Sequence, residues 1–214
     1  MDQINQKRGR GIVEGKTLLD IIRKWDEYCS EENFIGIGST RKVFKVFDYA
    51  VKVHLHSVGY EQSKNELNIY NKMLERELNG LFAQTYYVDE FISIQKYYNP
   101  LEMRDNQSFE IEMEKDKNLI PGMYEEVLDL LDKEFDCFDL KDSSNYGLNE
   151  QGKLTFIDYG MSKSLYEKQW VPLAETGILP QIDFDLCGVC GIKKELRMYG
   201  DKDSDKRCYS CGKE

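Results

Sequence analysis

The stretch from Asp139 to Gly160, DLKDSSNYGLNEQGKLTFIDYG, gathers carboxylates, an asparagine amide and glycines into two short runs of chain. Tyr146 to Leu148 and Leu154 to Ile157 are apolar and are parted by Asn149-Glu150-Gln151-Gly152, a pattern that predicts a β-hairpin. Closing that hairpin brings Asn145 and Asp158 to the same end. An amide oxygen beside a carboxylate suits Mg²⁺, a hard cation that takes a few protein oxygens and keeps the rest of its shell for water and phosphates. Gly160 is expected to let the chain turn sharply away. A second group lies near the C-terminus, where Cys187-Gly-Val-Cys190-Gly and Cys208-Tyr-Ser-Cys211-Gly are separated by seventeen residues. Two thiolate pairs, each followed by a glycine that lets the backbone aim N–H groups at sulfur, supply four tetrahedral ligands for Zn²⁺. Such a shell leaves no position for a substrate, so the module is expected to be structural: a zinc ribbon resting on a partner protein or on its own chain.

The remaining elements must position these groups. Phe34 to Val53 alternates apolar residues and predicts three antiparallel strands, with a glycine turn near Gly38 and a tight one at Phe47-Asp48. Tyr60 to Leu78 predicts a helix, and Tyr86 to Val88 with Phe91 to Ile94 predict two more strands that complete a five-stranded sheet. Leu101 to Asn118 is charged and without period, a surface connection. Pro121 to Phe138 predicts a long helix opened by its proline, with Met123, Val127, Leu128, Leu130, Leu131 and Phe135 as core. Ahead of the sheet, Thr17 is a plausible N-cap for a helix carrying Leu18, Leu19, Ile21, Ile22, Trp25 and Tyr28. Gly15-Lys16-Thr17 imitates the end of a phosphate loop, but Arg10 stands where its first glycine belongs and no apolar strand precedes it, so residues 1–16 read as a basic leader. His54 and His56 read as exposed polar residues on one strand face. Cys29 and Cys137, single among apolar neighbours, read as buried thiols.

In order along the chain, Gly36-x-Gly38, Ala50-Val51-Lys52, Glu66, Asp139, Asn145 and Asp158-Tyr159-Gly160 resemble the motifs of the protein-kinase-like superfamily. The resemblance spans about residues 34–160. It implies a two-lobed α+β fold with a five-stranded N-lobe sheet and a reduced C-lobe. It implies that Gly36, Gly38, Ser39 and Val43 surround ATP, that Lys52 holds phosphates while Glu66 fixes it, and that Asn145 and Asp158 bind Mg²⁺. Asp139 would orient or deprotonate the accepting hydroxyl, and Gln95 to Tyr98 would form the hinge that meets adenine. The sequence departs from the family at three places. Arg41 stands at the third glycine, Asp139 precedes Asn145 by six positions rather than five, and no activation segment ending in Ala-Pro-Glu follows Gly160. The spacing leaves two arrangements, one residue looped out or Asp142 taking the catalytic place.

The implied organisation is a leader and helix over 1–33, a kinase-like domain over 34–170, a linker over 171–186 and the ribbon over 187–214. The implied activity is ATP- and Mg²⁺-dependent phosphorylation of a hydroxyl acceptor, a protein Ser or Thr. The alternatives are a pseudokinase adaptor that binds a partner through its fold and ribbon, and a small-molecule kinase. Net charge is −10, with residues 1–16 and 187–214 each at +2, so a nucleic-acid partner is disfavoured except at the two ends. No run of eighteen apolar residues and no apolar stretch after the N-terminal basic residues are present, so neither a membrane span nor a secretory signal is expected, and the cytoplasm is the expected compartment.

Overall fold

Alternation from Phe34 onward builds an antiparallel sheet of β1 (Phe34–Ile37), β2 (Arg41–Val46), β3 (Tyr49–His54), β4 (Thr85–Val88) and β5 (Ile92–Lys96), in spatial order β1-β2-β3-β5-β4. The computed structural model describes residues 17–213, so the basic leader and most of the Gly15-Lys16-Thr17 motif lie outside the described residues. Successive side chains on a strand point to opposite faces, which sorts the sheet cleanly. Phe44, Val46, Val51, Ile92 and Ile94 form one face and pack beneath Ile21 of helix α1 (17–23), which continues after a break at Lys24 into α2 (Trp25–Tyr28). Leu19, expected in that interface, is 53% exposed. The other face carries Arg41, Lys52, Ser93 and Gln95, all buried.

Helix α3 (Ser57–Glu75) covers that polar face, with His56 as its N-cap accepting from Val58 N. Ile69, Tyr70 and Met73 of α3 then join a second core with Val127 and Leu131 of α4 (Tyr124–Phe135), Phe82 and Tyr159. Two of the strands beneath it, β7 (Tyr146–Leu148) and β8 (Leu154–Phe156), form the expected hairpin, extended by β6 (Asn99–Pro100) into a three-stranded sheet. Pro121 does not open α4: the helix begins at Tyr124, after Met123 in the left-handed region (φ 62) and 55% exposed. The segment 101–118 has no helix, yet it is more than a surface connection. Ile111 and Asp116 are buried, and Asp116 takes a hydrogen bond from Arg104 at 2.6 Å.

Beyond Gly160 the chain forms α5 (Lys163–Leu165), a wide turn at Tyr166–Trp170 and α6 (Val171–Glu175), and buries Leu165 and Leu179 against Val58. The stretch 171–186, read as a linker, is therefore structured. It contains α6 and β9 (Gln181–Leu186), and β9 pairs along its whole length with β10 (Lys193–Met198). The four C-terminal cysteines gather at one end of that hairpin. No helix among the described residues is long and apolar enough to cross a membrane.

Candidate functional site

Four charged side chains meet between the sheet and α3. Lys52 Nζ on β3 lies 3.0 and 3.2 Å from the carboxylate oxygens of Glu66 on α3, and donates at 2.7 Å to the carbonyl of Ile157. Glu66 is fully buried, which excludes the reading of a solvated helix glutamate, and Gln95 Nε2 donates to its second oxygen at 2.9 Å. Gln95 thus sits inside β5 and does not begin a hinge. Arg41 is the residue that sequence reasoning missed. Its guanidinium is 4% exposed and reaches Glu66 at 2.9 Å and Asp158 at 2.6 Å. A signal for it existed: Arg41 and Val43 alternate with Phe44 and Val46 in β2, which puts Arg41 on the face of Lys52.

Two cations and two carboxylates balance: Arg41, Lys52 and Glu66 are held out of water, while the Asp158 side chain is 40% exposed. Burial pushes the Lys52 ammonium below the ordinary lysine value, against the pull of Glu66. Burial opposes ionisation of Asp158, but the Arg41 guanidinium and then Lys52 outweigh it and hold that carboxyl low. The periphery is ordered too. Thr40 donates to Gln62 at 2.5 Å, and Ser63 bonds Ser93 at 3.0 Å. His54, expected to be exposed, contacts Glu90 O at 3.1 Å and Ser63 Oγ at 2.9 Å, and burial lowers it to about 4. It is therefore a neutral structural group.

The hairpin end is arranged by backbone. Asn145 O accepts from Ile157 N at 2.8 Å and from Asp158 N at 3.2 Å, so Asn145 and Asp158 do come together. Asn145 Nδ2 donates to Asp139 O at 2.6 Å, tying the preceding loop to them. Asp139 adopts φ 56, in the left-handed region that Asp tolerates better than most residues. Desolvation, then the like charges of Asp142 and Asp158, push its carboxyl up to about 6. Asp142 is occupied otherwise: it caps the turn Ser143–Asn145 by accepting from Ser144 N at 2.7 Å, and accepts from Ser108 Oγ at 3.0 Å. Gly160 serves close packing. A Cβ there would lie 2.0 Å from Gln62 O of α3. Tyr159 is buried and its hydroxyl donates to Ala83 O at 2.9 Å. Cys137 is buried as expected and its thiol is raised to about 12 by burial, whereas Cys29 is half-buried.

Cys187, Cys190, Cys208 and Cys211 place their sulfurs within 4.8 Å of one another and can hold a metal ion. Gly191 (φ 67) and Gly212 (φ 95) follow the second cysteine of each pair in the left-handed conformation that glycine adopts without strain. Backbone N–H groups, that of Cys190 foremost, hold the Cys187 thiol down to about 6, favouring the thiolate that binds metal. The module touches the β1–β2 hairpin: Tyr209 stacks on Phe34 at 4.5 Å, and Arg197 donates to Gly38 O. Around Gly36 and Gly38 the space is open, with nothing nearer than 4.0 Å to a Cβ placed on either. No family model matches the chain, and no curated protein matches it.

Proposed function

We propose that this chain is a reduced protein-kinase-like enzyme that binds ATP with Mg²⁺ and transfers a phosphoryl group to a protein Ser or Thr hydroxyl. The observation that carries the reading is the convergence of Lys52, Glu66 and Asp158 from three separate segments, bridged by Arg41. A buried ion cluster alone also fits a purely structural role. The exposed side chain of Asp139, held beside Asn145 and Asp158 with its carboxylate unbonded among the described residues, is what such a role leaves unexplained.

In this reading Gly36, Gly38, Ser39 and Val43 line the nucleotide and Lys52, fixed by Glu66, binds its phosphates. Asn145 and Asp158 would hold Mg²⁺, which neutralises phosphate charge when bound. Asp139 accepts the proton of the acceptor hydroxyl as its oxygen bonds to the γ-phosphorus. The bond from that phosphorus to the bridging oxygen breaks, and ADP leaves. The cysteines form a structural zinc ribbon, which one zinc per chain on elemental analysis would support. The kinase reading is tested by melting and calorimetry with saturating ATP and Mg²⁺, followed by labelled-phosphate transfer to a lysate. A raised melting temperature and labelled protein bands are expected. An unmoved melting curve with no heat of binding sinks it.

A second reading has its own observation. Arg41 already pairs with Asp158, so the carboxylate assigned to the metal is neutralised by the chain itself. That favours an adaptor without turnover, in which nucleotide stabilises the protein but no acceptor is labelled.

A further inference from the structure

Arg197 is a buried cation that pairs with no carboxylate among the described residues. It is 6% exposed, Nη1 donates to Gly38 O, Nη2 donates to Tyr199 Oη at 3.0 Å, and Nε is enclosed with no partner. Arg41 offers the contrast, since it is equally buried but meets two carboxylates. Neutral acceptors satisfy hydrogen atoms without balancing charge, and an isolated buried charge is costly until a counter-charge arrives. A guanidinium has five N–H donors in a planar fork; with Nε–H enclosed, the two bonds to Gly38 and Tyr199 leave one hydrogen on each terminal nitrogen for a ligand.

The place is as informative as the deficit. Gly38 opens the turn between β1 and β2, and on the side where a Cβ of Gly36 or Gly38 would stand nothing lies nearer than 4.0 Å. The strand that carries Arg197 is fixed at several points. Leu196 and Met198, its neighbours, pack with Cys187 and Cys208, and Tyr209 of the same module stacks on Phe34 of β1. Two residues before Arg197, Glu195 accepts from Ser108 N at 3.1 Å, and the Ser108 hydroxyl donates to Asp142 at 3.0 Å. Strand β10 therefore contacts the glycine turn through Arg197 and, through Ser108, is linked to Asp142 in the loop after Asp139.

We propose that Arg197 is a phosphate-binding residue: the cysteine module supplies its guanidinium to the glycine turn, where it takes oxygens of the phosphate tail of a nucleotide. This rests on the reading of the site as an ATP site, and it gives the module a part in binding beyond holding its own metal. The ligand class is a polyphosphate anion, and Arg197 remains bonded to Gly38 O while its unused donors take the phosphate. The competing account makes Arg197 only a clamp on the carbonyl of Gly38.

Full-length, metal-loaded protein titrated calorimetrically with ATP, tripolyphosphate and adenosine separates the possibilities, using wild type, Arg197→Gln and Arg197→Lys. Phosphate contact predicts that Arg197→Gln weakens ATP and tripolyphosphate by about tenfold or more, the usual worth of a charge-assisted hydrogen bond. Adenosine affinity should be unchanged, and Arg197→Lys should recover part of the loss. Equal tripolyphosphate affinity in all three proteins, or an adenosine loss equal to the ATP loss, overturns the proposal and leaves a clamp. Wild type that binds tripolyphosphate in an Arg197-dependent way, with no gain from the adenosine moiety, keeps the anion site and sinks the nucleotide reading. Should Arg197→Gln fail to fold, the wild-type guanidinium resonance that is missing from Arg197→Lys must shift on adding tripolyphosphate. A resonance that stays in place overturns the proposal.

Discussion

Spacing left both Asp139 and Asp142 open for the catalytic place of the proposed kinase reading, and their surroundings differ. The Asp142 carboxylate is engaged by Ser144 N and Ser108 Oγ, whereas Asp139 is tied through its backbone carbonyl and its carboxylate carries no such bond among the described residues. Under the proposed kinase reading, Asp139→Asn is therefore expected to abolish transfer while ATP affinity stays within about twofold, and Asp142→Asn to do little, since an asparagine Oδ1 caps the turn as well as a carboxylate does. Single-turnover assays with ATP titrations check both, and a dead Asp142→Asn beside an active Asp139→Asn would reverse the assignment. The pH behaviour follows with its sign. A base must be ionised, so the rate should rise as pH climbs through about 6. The same carboxyl is raised in the folded state, so the stability it contributes is present below about 4 and lost as pH rises through about 6. Asp139→Asn should then melt slightly higher than wild type at pH 8 and equally at pH 3.5, by at most about 1 kcal/mol because the group is solvent-screened. Arg41 acts in the opposite sense to Asn145. Arg41→Gln frees Asp158 and should lower the Mg²⁺ concentration that half-saturates ATP binding, at a stability cost of roughly 3 kcal/mol for breaking the buried pair with Glu66. An unchanged Mg²⁺ dependence would show that Asp158 does not hold the metal.

At the scale of elements, α3 locks the site. Its residues Gln62, Ser63 and Glu66 meet Thr40, Arg41 and Lys52 from the sheet, and Asn65 donates to Gly160 O at 2.9 Å. The backbone at Gly160 comes so near α3 that a methyl group has no room. Gly160→Ala should destabilise the protein by roughly 1–3 kcal/mol, the usual cost of overpacking, and weaken ATP binding by displacing Asp158. Urea unfolding and calorimetry read the two effects. A fully stable Gly160→Ala with native affinity would mean that α3 and the Asp158 segment move apart freely.

At the scale of the whole molecule, the cysteine module is joined to the sheet through Tyr209 on Phe34 and through Arg197 on Gly38. If the four cysteines hold zinc as proposed, removing it should unfold the hairpin β9–β10, because metal binding at such small modules contributes on the order of 10 kcal/mol of apparent folding free energy. Chelation is then expected to lower ATP affinity along with zinc content, and re-addition of Zn²⁺ to restore both. Tyr209→Ala separates docking from metal binding: it should keep one zinc per chain yet weaken ATP by several-fold. Equal ATP affinity with and without the metal would leave the module an independent appendage.

Local pattern was enough for the five strands of the first sheet, the β7–β8 hairpin and the four-cysteine cluster, but not for β6, β9 or β10. Alternation, turn residues and Cys-x-x-Cys spacing act over a few neighbours, and each carries its own geometry. The kinase-like resemblance also implied that Lys52 and Glu66, fourteen residues apart, are partners, and their carboxylate and ammonium do meet. Only the tertiary structure decided what lies around them. The position of Arg41 between Glu66 and Asp158 depends on how a sheet face, a helix and a hairpin end pack, and Arg41 and Asp158 are 117 residues apart. Gln95 and His54 went inward for the same reason, since buried charges and hydroxyls required partners from the nearest strands. The 171–186 stretch was illegible as structure because α6 is too short to show a period and β9 takes its order from pairing with β10. Arg197 shows the limit most plainly: nothing in a strand pattern says that a cation will be buried with no carboxylate beside it among the described residues, because that is a property of the surfaces that close over it.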